Sequence, residues 1–293
     1  MKQFVLGKPF YQYLKESYAV QQFFIGVNCG DIETVKDLFS ENPWLIGSTD
    51  IVYEGESVLH VALSSTVDKY DQVLNFILCT LAINGANMYS CTNQKDHLGR
   101  TPLFRACLAS ATENALFLLN SSQMADCNIV DDTYSSCLLL ATKILLSSFT
   151  PKTWKLFSAL LERSSEFVVD LTNSDGRSVL YYAIEAYDTG VEGSERVLSS
   201  LINKKVDVNW LLQTHEGISL FLRLNNEELQ QTLLQNSSEK TRQFIFENFR
   251  IQLEEVLTFQ EVVTTPSSFS PSKKLSFRSS GEGFLRRKES GEK

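Results

Sequence analysis

The sequence predicts an all-α repeat solenoid: five to six helix pairs stacked in a row, with a capping helix at each end. Three observations carry this. A turn running straight into a short apolar helix recurs along the chain, usually closing on a small residue. These closing residues, Gly26, Ala62, Ala106, Ala141, Ala183 and Leu224, lie 36, 44, 35, 42 and 41 residues apart. Apolar segments with helical spacing follow at 73–81, 113–119, 154–161 and 195–201. Self-similarity at a period of roughly 20–50 residues marks architectures in which each unit buries its apolar face only against its neighbours.

The clearest unit is "DHLGRTPLFRA", residues 96–106. Gly99 supplies a permissive backbone for a tight turn, Thr101 can cap a helix, and Pro102 suits the first helical position, where a missing N–H breaks no bond. Ala106 is small enough for a neighbouring helix to come close. Weaker copies are "VYEGESVLHVA" from Val52, "DDTYSSCLLLA" from Asp131, "NSDGRSVLYYA" from Asn173 and "THEGISLFLRL" from Thr214, after an initial unit around Gly26.

The 96–106 stretch resembles the ankyrin-repeat motif D-x-x-G-x-T-P-L-H-x-A, with Phe104 in place of the histidine. "INGANMYS", "MADCNIVD" and "KKVDVNW" resemble the family's G-A-D-V-N ending. The resemblance covers about residues 19–235 as degenerate repeats, longer than the family's usual 33 or so. The excess is expected in loops between paired helices at 64–70, 143–152 and 187–193. It implies polar ties at histidine positions; here His60, facing Ser57, keeps one, and Phe104 and Tyr181 replace it by packing.

Residues 1–18 are expected to cap the first repeat, with Phe10, Tyr13, Leu14, Tyr18 and Phe23 forming one apolar stripe. Residues 236–263 are expected to cap the last, opening at Ser238 and presenting Phe246, Phe249, Leu253, Val256 and Leu257. From Thr264 the chain turns Ser-rich and basic, and is expected to be disordered.

Charge divides along the same line. Residues 264–293 hold seven Lys/Arg and three Glu, a net of +4, leaving 20 positive and 32 negative residues, a net of −12, on residues 1–263. An acidic body argues against nucleic acid as its partner, since phosphate contacts need positive surface. No segment has the apolar length of a membrane span, and the N-terminal residues do not read as a signal peptide. The six cysteines form no C-x-x-C pair and read as reduced thiols, and the three histidines show no metal-ligand spacing. A cytoplasmic chain, with no cofactor, no metal and no small-molecule substrate, is the expectation; it is read as a monomer.

No phosphate-binding, hydrolase or Cys-His signature is present, so the chain reads as non-catalytic. The resemblance implies a concave surface that binds a partner protein. Its hairpin tips would be Tyr53, Glu54 and Glu56; His97, Leu98 and Arg100; Asp132, Thr133 and Ser135; Ser174, Asp175 and Arg177; and His215, Glu216 and Ile218. Tyr53, Arg100 and Arg177 are the preferred anchors, since Tyr and Arg are frequent interface hot spots. On the first helices it implies Ser64, Leu108, Ala109, Lys143, Glu185 and Ala186 as groove positions. Eroded repeats with a polar, Glu-containing tail resemble ankyrin effectors that intracellular bacteria inject into host cells, which would place the chain in the host cytosol or nucleus. A eukaryotic signalling or ubiquitin-ligase adaptor regulated by tail phosphorylation is the alternative.

Overall fold

Thr101 accepts a hydrogen bond from the backbone N–H of Phe104 at 3.2 Å, and Pro102 follows it as the first helical residue. The structure, a computed structural model, describes residues 10–48, 55–64, 70–120, 125–212, 214–224 and 226–253. Hydroxyl caps of the same kind recur at Ser136, Thr150, Ser178 and Thr214, each accepting from an N–H three residues on.

The helices are α1 (Phe10–Cys29), α2 (Ile32–Glu41), α3 (Val58–Ser64), α4 (Tyr70–Ile83), α5 (Met88–Thr92), α6 (Pro102–Leu108), α7 (Thr112–Asn120) and α8 (Cys137–Ser147). There follow α9 (Pro151–Arg163), α10 (Glu166–Asp170), α11 (Val179–Asp188), α12 (Ser194–Asn203), α13 (Asn209–Leu212), α14 (His215–Arg223), α15 (Glu227–Gln235) and α16 (Glu239–Leu253), with a 3-10 turn at Pro43–Gly47. All regular structure among the described residues is helical, an arrangement compatible with an α-solenoid.

One row of helices forms the spine: α1 packs on α3, α3 on α6, α6 on α8, α8 on α11 and α11 on α14. The sequence permits this because Ala62, Ala106, Ala141 and Ala183, at most 1% exposed, let adjacent axes approach. Leu59, Leu103, Leu138 and Leu180 fill the space beside them and are equally buried. Each such leucine contributes about 1.5–3 kcal/mol of apolar burial. The partner helices line up behind, α2 against α4 and α7 against α9.

A second set of bonds ties the segments that follow the paired helices. The side-chain oxygen of Asn93 accepts from the N–H of Asp126 (2.8 Å), that of Asn128 from Ser165 (2.7 Å), that of Asp170 from Asp207 (2.7 Å) and that of Asn209 from Ser238 (2.7 Å). Asn128 and Asn209 are the asparagines of "MADCN" and "VDVN", and each turn is closed by the Asp two residues before. Burial pushes the Asp170 carboxyl above its ordinary range, and the nearby Asp207 charge pushes the same way, against the hydrogen bond from the Asp207 N–H.

Several boundaries differ from expectation. The break expected after residue 18 falls inside α1, which runs unbroken from Phe10 to Cys29. Phe23, Phe24 and Val27 form its buried side, whereas Tyr18 is 63% exposed. Five residues carry a helix about 140° round its axis, so Tyr18 and Phe23 cannot share a face. Most of the extra residues at 143–152 extend α8 to Ser147 and open α9 at Pro151, and at 187–193 α11 continues to Asp188 before a short turn. Phe149 in the first connection covers Gly193 in the second, and Arg196 stacks on Trp154 at 3.9 Å, so the two insertions pack together.

At the other end Ser238 does cap α16, accepting from the N–H of Thr241 at 3.2 Å. Its packed side is Thr241 and Ile245; Phe244 is 48% exposed and Phe246 half-buried. The side chains of Phe249 and Leu253, together with Val256, Leu257 and the 264–293 tail, lie outside the described residues. Cys107, Cys127 and Cys137 are buried free thiols, Cys91 is half-buried, and Cys29 and Cys79 are exposed.

Candidate interaction surface

Three of the expected tips are turns closed by one side chain. Asp96 Oδ1 accepts from the N–H groups of Leu98 and Arg100, both at 2.9 Å. Asp131 Oδ1 accepts likewise from Thr133 and Ser135, and Asn173 Oδ1 from Asp175 and Arg177. Successive turns are joined through the backbone, the N–H of Asp132 donating to Leu98 O (3.0 Å) and that of Ser174 to Thr133 O (2.9 Å). The contact is close: His97 lies over Gly55 and the Asp132 carboxylate over Gly99, leaving no room there for a Cβ. Tyr134 stands at the corresponding glycine position with φ 59°, beside the Thr133 carbonyl that accepts from Ser174 of the next turn.

These bonds bring His97, Leu98, Asp132, Thr133, Ser174 and Asp175 into one exposed strip. The other tip residues stand elsewhere. Tyr53 and Glu54 lie outside the described residues. Glu56 is 3% exposed, with its carboxylate against Arg105 Nε and 3.9 Å from Arg100 Nη2. Arg100 donates from Nε to Asp96 Oδ2 at 2.7 Å, so Glu56 and Arg100 are internal ties rather than exposed anchors. Burial would raise the Asp96 carboxyl, but hydrogen bonds from Arg100 and the Leu98 N–H outweigh it and hold it below its ordinary value.

Arg177 is half-buried, lying 5.1 Å from the Tyr181 ring centroid with Nη2 3.5 Å from Glu216 Oε2. His215, Glu216 and Ile218 form no tip. Thr214 caps α14 directly, accepting from the N–H of Gly217, so those residues are its first turns and Ile218 is buried. No Asp or Asn stands at 214 to close a turn as Asp96 does.

Beneath the strip, one face of the first helices repeats in register. The residues before and two past each closing residue, such as 25 and 28 on α1, 61 and 64 on α3, and 105 and 108 on α6, fall three apart and share a face. Ile25, Asn28, Val61, Ser64 and Arg105 line a common cavity of about 120 Å³, with Glu56 and Phe24 completing its wall. Further along, Lys143 Nζ of α8 stands 4.4 Å from the ring centroid of Tyr182 on α11, so this pair continues the face. Ile25 and Leu108 are 50% and 46% exposed.

Of the expected groove positions, Ser64 lines the cavity, Leu108 and Lys143 are exposed, and Glu185 and Ala109 are half-buried; Ala186 is buried, turned one step away. The positions just before the closing residues, Arg105 above all, were not singled out in the sequence. A lone arginine in "LFRA" has a visible signal in its charge within an apolar run.

His60 lies below this face, completely buried. The Ser57 N–H donates to Nδ1 at 3.1 Å, which fixes the proton on Nε2, and Nε2 donates to the carbonyl of Arg100 at 2.9 Å. Burial pulls its pKa down to about 4, so it is neutral at physiological pH. Among the described residues, no group of three or more His, Cys, Asp or Glu side chains converges as metal ligands, and no helix is long and apolar enough to cross a membrane. No protein-family model matches the chain, and no curated protein is significantly similar to it.

Proposed function

We propose that the chain is a non-catalytic protein-binding adaptor of the ankyrin-repeat type, which holds its partner on the first-helix face and the strip of turns above it. The observation that carries this reading is the register of exposed Ile25 and Leu108 on that face, flanking a cavity. The Thr101-Pro102 helix entry, the linked turns and the asparagine ties support the repeat type, since stacked units of this kind present a rigid extended surface. Rigid presentation limits the entropy lost when a partner docks.

The test is affinity purification with the full chain and with Leu108→Asp and Ile25→Asp, both exposed positions. Partner capture lost in both variants, with unchanged circular dichroism and melting temperature, is the expected result. Capture that survives both substitutions but disappears on deletion of residues 264–293 would move binding off this face.

A further inference from the structure

We infer that the first-helix face from α1 to α8 receives an acidic, apolar-flanked segment of a partner protein, whose carboxylates pair with Arg105 and Lys143. The inference rests on reading this face as a protein-docking surface, and charge decides the partner's chemistry. Residues 1–263 carry a net charge of −12, yet the charged residues in this register between α1 and α8 are the half-buried Arg105 and the exposed Lys143. The acid in the cavity wall, Glu56, is buried with Arg105 Nε against it. That contact holds one edge of the guanidinium, whose Nη groups have no protein partner among the described residues, and the side chain stays 23% exposed. A guanidinium fixed along one edge is pre-organised to grip a carboxylate with the other.

Lys143 makes no ion pair among the described residues; its ammonium rests on the Tyr182 ring. Arg105 and Lys143 stand on successive spine helices, α6 and α8, which pack directly. Neighbouring axes lie about 8–10 Å apart. That separation matches carboxylates three residues apart on a polyproline-II segment, which returns to the same face after about 9 Å, or about seven apart on a helix. Ile25 and Leu108 beside them call for apolar side chains next to the acids. A polyphosphate partner fits poorly, because Glu56 and the acidic body oppose a dense run of negative charge. A basic segment would meet the Lys143 ammonium, which no acid among the described residues neutralises, beside the outer edge of Arg105.

The experiment is selection of short random peptides, displayed on phage, against the full chain. Fluorescence polarisation then compares a labelled selected peptide with a copy carrying Gln or Asn for Glu or Asp. We expect selected peptides to carry acids among apolar residues and the amide copy to bind roughly tenfold weaker or worse. Arg105→Gln should weaken binding similarly. Because that change removes a cation packed against buried Glu56, the exposed Lys143→Glu serves as a second variant, and its binding should be restored by a peptide with Lys for the matching acid. Neutral or basic peptides whose binding is lost in Leu108→Asp would overturn the acidic segment while leaving the docking face standing. No enrichment, or enrichment indifferent to Leu108→Asp, would overturn the docking face itself.

Discussion

His60 Nε2 lies 2.9 Å from the carbonyl oxygen of Arg100, forty residues further along the chain. One imidazole thereby closes its own turn through Ser57 and holds the next turn in place.

That arrangement makes stability depend on pH. In the unfolded chain His60 takes up a proton near its ordinary value of 6.5, and in the folded chain only near about 4. Between these values the unfolded state binds more protons, so stability falls as pH drops from 6.5 to about 4 and then levels off for this group. The contribution is on the order of 3 kcal/mol. Urea unfolding at pH 7 and pH 4.5 should show a smaller loss for His60→Leu than for the parent chain, although the variant is less stable at pH 7. An equal loss in both would place the imidazole in contact with water.

Phe104 stands where the resemblance implies a second such histidine, and it is 2% exposed. Phe104→Ala should cost roughly 3–5 kcal/mol by denaturant unfolding. A loss below about 1 kcal/mol would contradict its place in the core.

Gly99, at φ 75°, lies under the Asp132 carboxylate, so Gly99→Ala meets both a left-handed backbone and a collision. A cost of roughly 2 kcal/mol or more is expected, part of which Asp132→Ala should return in a double-mutant cycle. Tyr134 poses the opposite case, with a φ of 59° and a side chain 61% exposed. Tyr134→Gly should stabilise the fold by about 1 kcal/mol, read as a higher denaturation midpoint.

Asn209 holds the N-terminus of α16, accepting from the Ser238 N–H and from the Thr241 hydroxyl at 2.8 Å. Asn209→Ala should speed amide hydrogen exchange across α16 by about tenfold and leave α6 and α8 unchanged, corresponding to the loss of roughly 1–2 kcal/mol of local tying. Uniform acceleration throughout the chain would mean that α16 opens only with the whole.

The helix entries were legible in the sequence because their signals are local. Thr101, Pro102 and Ala106 each act within one turn, and the caps at Ser178 and Ser238 follow the same logic. Side-chain destinations at the tips were not, because they depend on the neighbouring unit. Nothing in "EGES" says that Glu56 meets Arg105, or in "LGRT" that Arg100 turns back to Asp96. His215 was misplaced for a related reason: its glycine matched the pattern, while the acceptor that closes the other turns was missing. The face before the closing residues was overlooked because Ile25, Arg105 and Tyr182 share a register but no chemistry.

The side-chain ties from Asn93 to Asp126, Asn128 to Ser165, Asp170 to Asp207 and Asn209 to Ser238 bear on how the molecule would come apart under load. Each tie spans one junction, and each fails with the junction it crosses. Drawn from its C-terminus, the chain should release α16 first and then peel one helix pair at a time, giving a sawtooth of similar forces rather than a single rupture. Such a molecule could surrender its far end to tension while keeping the Arg105 face folded.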